Sequence, residues 1–250
     1  MIAALRAEWT KLRTFAGPAW LLLATAVLTA GLGWLAVAVM TCPTTGCTAD
    51  GTKLNLTGVQ LGQAVIAILA VLIVGGEYST GLIRVTFTAM PRRSLVLLAK
   101  AVLLTAGALI AGAFGVLGSL LAGRLTLPGK GFAMPALSMT LRAYGGSVLY
   151  LTLIALLSLG IATMVRDSAA AIGVVLGVLY VAPILLGVVG DASWQRHLKQ
   201  IAPSLAGESV QSTIDLHHLA IGPWAGLAVV AAWAGGALLA GVALLELRDA

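Results

Sequence analysis

Few residues in this sequence have the types and spacing that catalysis requires. Lys130 follows Gly129, but Gly131 comes next and the upstream glycine of a Walker A phosphate-binding loop is missing. The zinc motif His-Glu-x-x-His does not occur. His217 and His218 are adjacent, so they point to different helix faces, and an exposed loop pair is a simpler interpretation than a metal site. The sequence predicts no enzyme, no metal site and no cofactor bound by this chain.

The composition instead predicts an integral membrane protein. Apolar residues make up 60% of the 250 residues and charged residues 10%, against about 25% charged in a typical soluble domain. The mean hydropathy is +1.03. A soluble fold cannot cover that much apolar side chain with polar surface, whereas lipid accepts it.

Six uncharged apolar runs are long enough to cross a bilayer, which takes roughly 20 helical residues. They cover residues 18–40, 56–76, 101–123, 143–165, 169–190 and 222–245. Pro183 predicts a kink in the fifth run, which neighbouring helices can satisfy. We therefore expect an all-α fold with six transmembrane helices and a single transmembrane domain over residues 1–250.

The distribution of Lys and Arg sets the expected orientation. With the N-terminus inside, the inner segments total 49 residues and hold nine of the 15 basic residues, whereas the outer segments total 65 residues and hold six. This bias follows the positive-inside rule and predicts both termini in the cytoplasm. The same rule accounts for the net charge of +6, and the scattered basic residues do not predict binding to nucleic acid.

Two helical patterns predict surfaces for contact. In residues 1–17 a narrow apolar stripe predicts an amphipathic helix at the inner membrane surface, with Glu8 and Lys11 among the residues off the stripe. The stripe consists of Ile2, Leu5, Trp9, Leu12 and Ala16. In the third span, small residues recur at every fourth position and predict close helix packing. They are Gly107, Ala111, Gly115, Ser119 and Gly123.

The only two cysteines, Cys42 and Cys47, fall in the first outer segment. Pro43 and Gly46 lie between them and favour a turn that brings the thiols together. Because disulfides persist outside the cell, the sequence favours a Cys42–Cys47 disulfide over two free thiols.

The segment between spans two and three mixes apolar and basic side chains. Leu82, Ile83, Val85 and Phe87 alternate there with cations such as Arg84. Such apolar residues gain nothing in water, so they either lie on the membrane surface or dock a partner. The residues alone leave these two alternatives open.

At this segment the sequence resembles the permease subunits of type-2 ABC exporters, especially those of actinobacteria. The resemblance rests on three stretches and follows the whole chain in order. They are Gly76–Gly81 with Ile83-Arg84, Pro91-Arg92-Arg93 and Lys100; Ala7–Arg13 near the start; and Ala202–Gly207 before the last span. The outer segment with Cys42 and Cys47 departs from the family pattern.

The resemblance implies a permease dimer, most simply a homodimer, above two separate ATPase chains that hold ATP and magnesium. It implies an N-terminal helix at the inner surface and short re-entrant outer helices before the last span. It also implies that the segment after span two is a coupling helix seated in the ATPase. The implied coupling residues are Glu77, Tyr78, Thr80, Gly81, Leu82, Ile83, Arg84, Phe87, Arg92 and Arg93.

The favoured hypothesis is export of an amphiphilic or hydrophobic substrate, such as an antibiotic, a peptide or a lipid, from an actinobacterial cell. Ion-coupled transporters usually carry charges within their spans, and these six runs carry none. Two alternatives remain: an ATPase-independent channel or secondary transporter, and a sensor or anchor subunit that transports nothing.

Overall fold

The computed structural model describes residues 2–40, 49–89, 92–127, 132, 135–188 and 192–247. Within these residues the regular structure is entirely helical. Six helical segments have the length and hydropathy to cross a membrane, which confirms the prediction of an all-helical chain with six such segments. The Cys42–Cys47 prediction lies outside the described residues.

The long helices are α2 (Ala16–Val39), α4 (Val59–Ser79), α6 (Arg93–Thr126), α7 (Leu137–Val165) and α12 (Pro223–Leu247). The fifth of the six apolar segments consists of α8 (Ser168–Leu176), a π-helical turn (Gly177–Val181) and α9 (Ala182–Val188). The short helices are α1 (Ile2–Thr14), α3 (Gly51–Asn55), α5 (Leu82–Ala89), α10 (Ala192–Ile201) and α11 (Pro203–Glu208). Two 3₁₀ turns, Ser209–Gln211 and Leu216–His218, precede α12. Helix α6 begins at Arg93 rather than at residue 101, so Lys100 belongs to the helix rather than to the preceding segment.

Helices α4 and α7 form the centre of the bundle. In the apolar window of α7, 67% of the residues are buried within the protein, and 56% in that of α4, against 17% in the fifth segment and 22% in α2. The fully buried side chains of Ile66 and Leu69 on α4, and of Leu151 and Ile154 on α7, belong to one continuous core. The peripheral helices therefore present apolar side chains outward, as lipid contact requires.

Small residues let α2 and α6 approach closely. Ser119 donates a hydrogen bond to the main-chain oxygen of Thr29 at 3.0 Å. A Cβ atom added to Gly115 would lie 2.9 Å from the Cβ of Thr29, and one added to Gly107 would lie 3.4 Å from Leu22. The row of small residues on the third span thus lies against α2 over much of its length.

The fifth segment contains the π-helical turn just before Pro183. Proline lacks an amide hydrogen, and its ring clashes with the carbonyl oxygen four residues earlier, here that of Leu179. A wider turn of the helix relieves this conflict. The irregularity that Pro183 predicts is therefore a local π turn that ends at Val181.

Asp50 ties the short helix α3 to the segment before α12. Its carboxylate accepts hydrogen bonds from the amide groups of Thr52 and Lys53, at 3.1 and 3.0 Å, as an N-cap. The same carboxylate accepts from the hydroxyl of Thr213 at 2.7 Å and from the amide of Ile214 at 3.2 Å. One side chain thus joins segments that are far apart in the chain.

The two glycines Gly31 and Gly33 of α2 provide a matched test of this packing. A Cβ atom at Gly33 would lie 2.1 Å from the main-chain oxygen of Asn55, whereas one at Gly31 would meet no atom within 4 Å. We expect Gly33→Ala to lower the free energy of unfolding by about 1–3 kcal/mol, as overpacking does. Gly31→Ala should be neutral or slightly stabilising, because alanine favours the helix. Thermal unfolding in detergent measures both, and equal midpoints would contradict the packing.

Candidate functional site

Four charged side chains from three helices meet at one end of the bundle. Lys100 of α6 places its Nζ atom 2.6 Å from Glu8 Oε2 and 2.8 Å from Glu77 Oε1. Lys11 of α1 places its Nζ atom 2.8 Å from Glu8 Oε1 and 2.6 Å from Glu77 Oε1. Each ammonium therefore contacts both carboxylates, and the four charges cancel. We call these four residues the ion cluster.

The ion cluster is buried except at Lys11, whose side chain is 33% exposed. Glu8 is 3% exposed, Lys100 4% and Glu77 7%. Removing a charge from water is costly, and only close opposite charges with good hydrogen bonds repay that cost. Glu77 Oε2 is also buried and accepts no hydrogen bond within the described chain, so Glu77 depends on its other oxygen, which faces both lysines.

Lys11 extends the ion cluster to the short helix α5. Its Nζ atom donates to Thr86 Oγ1 at 3.3 Å. Burial alone would lower the pKa of Lys11, but the hydrogen bonds from its ammonium to Glu77 and Glu8 raise it further, to above the usual 10.5. Lys11 therefore stays charged throughout the physiological range, and one ammonium joins α1, α4 and α5.

Helix α1 turns Ala4 and Glu8 to the protein, whereas Ile2 and Trp9 of its apolar stripe face away from it. Glu8 and Ala4 are buried, whereas Ile2 is 70% exposed and Trp9 57%. Glu8 lies off the apolar stripe, as the periodicity predicts, and its carboxylate is buried against Lys100. The exposed stripe is free to lie in the lipid interface, where a tryptophan ring is favoured.

The segment that the resemblance implies for coupling folds as a turn and a short helix. Gly81 has φ +73°, a conformation that only glycine adopts without strain, and it separates α4 from α5. Leu82 and Val85 of α5 are 45% and 64% exposed, and Ile83 is buried. Arg84 and Phe87 lie on α5, and their side chains are outside the described part of the structure.

The remaining implied residues lie at the end of α4 and the start of α6. Tyr78 is in the last turn of α4 and Thr80 is its C-cap, and the guanidinium carbon of Arg166 lies 5.7 Å from the centroid of the Tyr78 ring. Arg92 is the N-cap residue of α6. Arg93 Nη1 donates to the Leu245 oxygen at 2.8 Å, and Arg166 Nη2 to the Leu244 oxygen at 3.0 Å. Two cations thus satisfy the carbonyl groups at the end of α12, where the helix dipole favours positive charge.

The structure brings together residues that the sequence analysis kept apart. Glu77 was assigned to coupling, Glu8 and Lys11 to a membrane-surface helix, and Lys100 only to the resemblance. A sequence signal for part of this arrangement exists, since Glu8 and Lys11 are three residues apart and share a helix face. No spacing rule, however, relates either of them to Glu77 or Lys100.

No protein-family model and no curated protein sequence matches this chain. The interpretation of the site therefore depends on its geometry and on the resemblance of its short motifs.

The ion cluster can be tested by removing one lysine. We expect Lys100→Met to lower the free energy of unfolding by about 3–5 kcal/mol, because two buried carboxylates would then face only Lys11. Lys53→Met, at an exposed position on α3, should cost less than about 0.5 kcal/mol. The double variant Glu8→Gln, Lys100→Met should lose less than the two single losses combined. Unfolding in detergent is measured for the unaltered protein, the single variants Glu8→Gln, Lys100→Met and Lys53→Met, and the double variant. A Lys100→Met midpoint equal to that of Lys53→Met would contradict burial of the cluster.

Proposed function

We propose that this chain is the membrane-spanning subunit of an ATP-driven ABC exporter, with hydrolysis on a separate ATPase chain. One observation carries the proposal: the short amphipathic helix α5 stands at the ion-cluster end with apolar side chains exposed. Leu82 and Val85 gain nothing from water, and a partner surface would bury them. The resemblance of Glu77–Arg93 to a coupling segment supports an ATPase as that partner.

The contacts of α5 support transmission of force from such a partner. Gly81 gives the chain a sharp turn, so α5 is joined to α4 by little more than that turn. Thr86 faces Lys11, which also contacts Glu77. A displacement of α5 by a closing ATPase would therefore reach α1 and the end of α4 together, and α4 is one of the two central helices.

In the proposed orientation, the ion-cluster end is cytoplasmic and both termini are inside. The excess of Lys and Arg in the corresponding segments supports it. Helix α1 then lies along the inner leaflet with Trp9 in the interface, and α10 and α11 are the re-entrant outer helices.

The proposed assembly is a homodimer in a bacterial plasma membrane, and actinobacteria are the proposed source. Only 22% of the apolar window of α2 and 17% of that of the fifth segment are buried, so the outer faces of these helices could contact a second copy of the chain as well as lipid. The substrate class is amphiphilic or hydrophobic, since the spans offer apolar surface and the six apolar runs carry no charge. Resistance to antibiotics or antimicrobial peptides is the physiological role that fits such a substrate.

The proposal predicts that an ATPase with a Walker A loop purifies with the tagged chain in mild detergent. Val85→Asp and Arg84→Glu should release it, because each places a carboxylate in the proposed interface, where an unpaired buried charge costs on the order of 2–5 kcal/mol. Val85→Asp should still fold, since Val85 is 64% exposed and lies outside the core.

The matched control is Arg196→Glu, an exposed charge reversal on α10, which should retain the ATPase. If no ATPase accompanies the unaltered chain, the channel and sensor alternatives are favoured instead. If the ATPase stays bound in both α5 variants, α5 is not the docking helix.

The orientation has a separate test in intact cells. With Cys42 and Cys47 replaced by serine, Lys53→Cys should react with an impermeant thiol reagent, because Lys53 is exposed at the proposed outer end. Arg92→Cys, exposed at the start of α6, should react only after the cells are opened. Labelling of Arg92→Cys in sealed cells would reverse the orientation.

A further inference from the structure

A cavity of about 450 Å³ lies at the end of the bundle opposite the ion cluster. Its described walls come from α3, the end of α6, the start of α7 and residues between these last two helices. Arg124 in its wall and Lys100 of the ion cluster are both on α6, so about 36 Å of helix separates them at 1.5 Å per residue. The volume falls within the range of roughly 300–1,000 Å³ that is usual for small-molecule sites.

The greater part of the described wall is apolar. Leu120 and Leu127 come from α6 and Leu137 from α7, and Phe132 lies between the two helices. Such a wall stabilises an apolar group by removing it from water. The polar side chains that line the same cavity are Thr52, Arg124, Thr140 and Tyr144.

Arg124 supplies the positive charge of the described wall. Its side chain is exposed and forms no ion pair with a carboxylate of the described chain. The carboxylate beside the cavity, that of Asp50, already accepts from the amides of α3 and from Thr213 and Ile214. The guanidinium is therefore available to a ligand, and its planar fork matches a carboxylate or a phosphate.

The Tyr144 hydroxyl is a second donor at this cavity. Asn55 Nδ2 donates to the main-chain oxygen of Ser119 at 2.6 Å and to the Tyr144 hydroxyl oxygen at 2.7 Å. Since a carbonyl oxygen only accepts, the amide nitrogen must be the atom that faces Ser119, and the Tyr144 oxygen is then an acceptor as well. The bonds of the described residues give the Tyr144 proton no acceptor, although Tyr144 is only 7% exposed. A buried donor without an acceptor is costly, and a ligand oxygen would satisfy it.

Asn55 holds this hydroxyl in place. The Asn55 side chain is fully buried, and residue 123 of α6 leaves room for it because it is glycine. A Cβ atom added to Gly123 would lie 2.4 Å from Asn55 Nδ2. The last member of the row of small residues on the third span therefore admits the amide that orients Tyr144.

We propose that this cavity binds an amphiphile that carries one anionic group, a carboxylate or a phosphate, on an apolar chain. The anionic group contacts the Arg124 guanidinium and accepts the Tyr144 proton, and the chain packs against the leucines of α6 and α7. Asn55 is a positioning residue, since it acts through Tyr144. A free fatty acid and an anionic phospholipid of the surrounding leaflet share this chemistry.

The first measurement is photo-crosslinking of the full chain in bilayer discs of zwitterionic lipid. The probe is dodecanoic acid with a photoreactive diazirine on its chain, and the matched probe is dodecanol with the same diazirine, which lacks the charge. Peptide mass spectrometry gives the labelling of residues 120–127 and 135–144 relative to that of α12, whose exposed apolar side chains provide the lipid background. We expect this ratio to be about tenfold higher for the acid, because only the acid has an anion for Arg124.

The second measurement repeats the labelling on variants. Arg124→Gln should lower the ratio of the acid by about tenfold and leave that of the alcohol unchanged, and it should still fold because Arg124 is exposed. Arg124→Lys should keep part of the preference, since it keeps the charge but loses the fork. The control is Lys53→Gln, an exposed cation of α3 outside the described wall, which should change the ratio by less than about twofold.

Tyr144→Phe tests the second donor. It should lower the ratio of the acid by several fold, because the anion loses a charge-assisted hydrogen bond. The variant also removes an acceptor of Asn55 Nδ2, so its thermal midpoint is measured alongside, and the two Arg124 variants decide the proposal if it does not fold.

Discs that contain phosphatidylglycerol distinguish the two sources of the ligand. If this lipid suppresses labelling of the cavity by the acid relative to α12, the site takes a membrane lipid. If the labelling persists, the site takes a free amphiphile, and either result supports an anion site.

Equal ratios for the acid and the alcohol, or an acid ratio that is the same in Arg124→Gln as in Lys53→Gln, would overturn the proposal. Neither measurement requires an ATPase or transport. The amphiphile site can therefore fail while the transport proposal stands, and the reverse also holds.

Discussion

The buried ion cluster constrains this structure more than any other contact. Glu8, Lys11, Glu77 and Lys100 lie where the apolar bundle ends, and charges with so little water around them must neutralise one another. That condition fixes the position of α1 and the position where α4 ends. It also explains why α6 begins before its apolar run and includes Lys100. The N-terminal helix is therefore bound to the bundle by charge, and its apolar stripe remains available to lipid.

The two ends of the bundle use polar groups in different ways. At the ion-cluster end, two ammonium groups and two carboxylates balance, and Lys11 keeps its proton throughout the physiological range. At the other end, neutral groups satisfy one another, since the Tyr150 hydroxyl on α7 donates to Gln63 on α4 and Gln63 donates to Gln60. The first arrangement favours a permanent joint between helices that transmits displacement, and the second joins α4 to α7 without buried charge.

The sequence predicts the helical framework well because a bilayer imposes length and hydropathy on each span. The runs at residues 18–40 and 143–165 correspond to α2 and α7 within a few residues, although α7 begins earlier, at Leu137. The polar clusters were beyond prediction because they join residues distant in the chain, such as Glu8 and Lys100. Periodicity placed Glu8 on a polar face but could not say that this face meets a buried lysine. Likewise, Gln63 and Tyr150 lie within apolar runs, and only the packing of α4 against α7 brings their side chains together.

Hydrogen–deuterium exchange of the folded chain tests the central claim most directly, namely that the ion cluster joins α1 and α5 to the rest of the bundle. The amides of α1, α5 and α7 should be compared between the unaltered protein and Lys100→Met under conditions in which both are folded. If the cluster is the joint, exchange in α1 and α5 should accelerate together in the variant while α7 keeps its protection. Unchanged protection of α1 in Lys100→Met would show that other contacts hold this helix and would contradict the account.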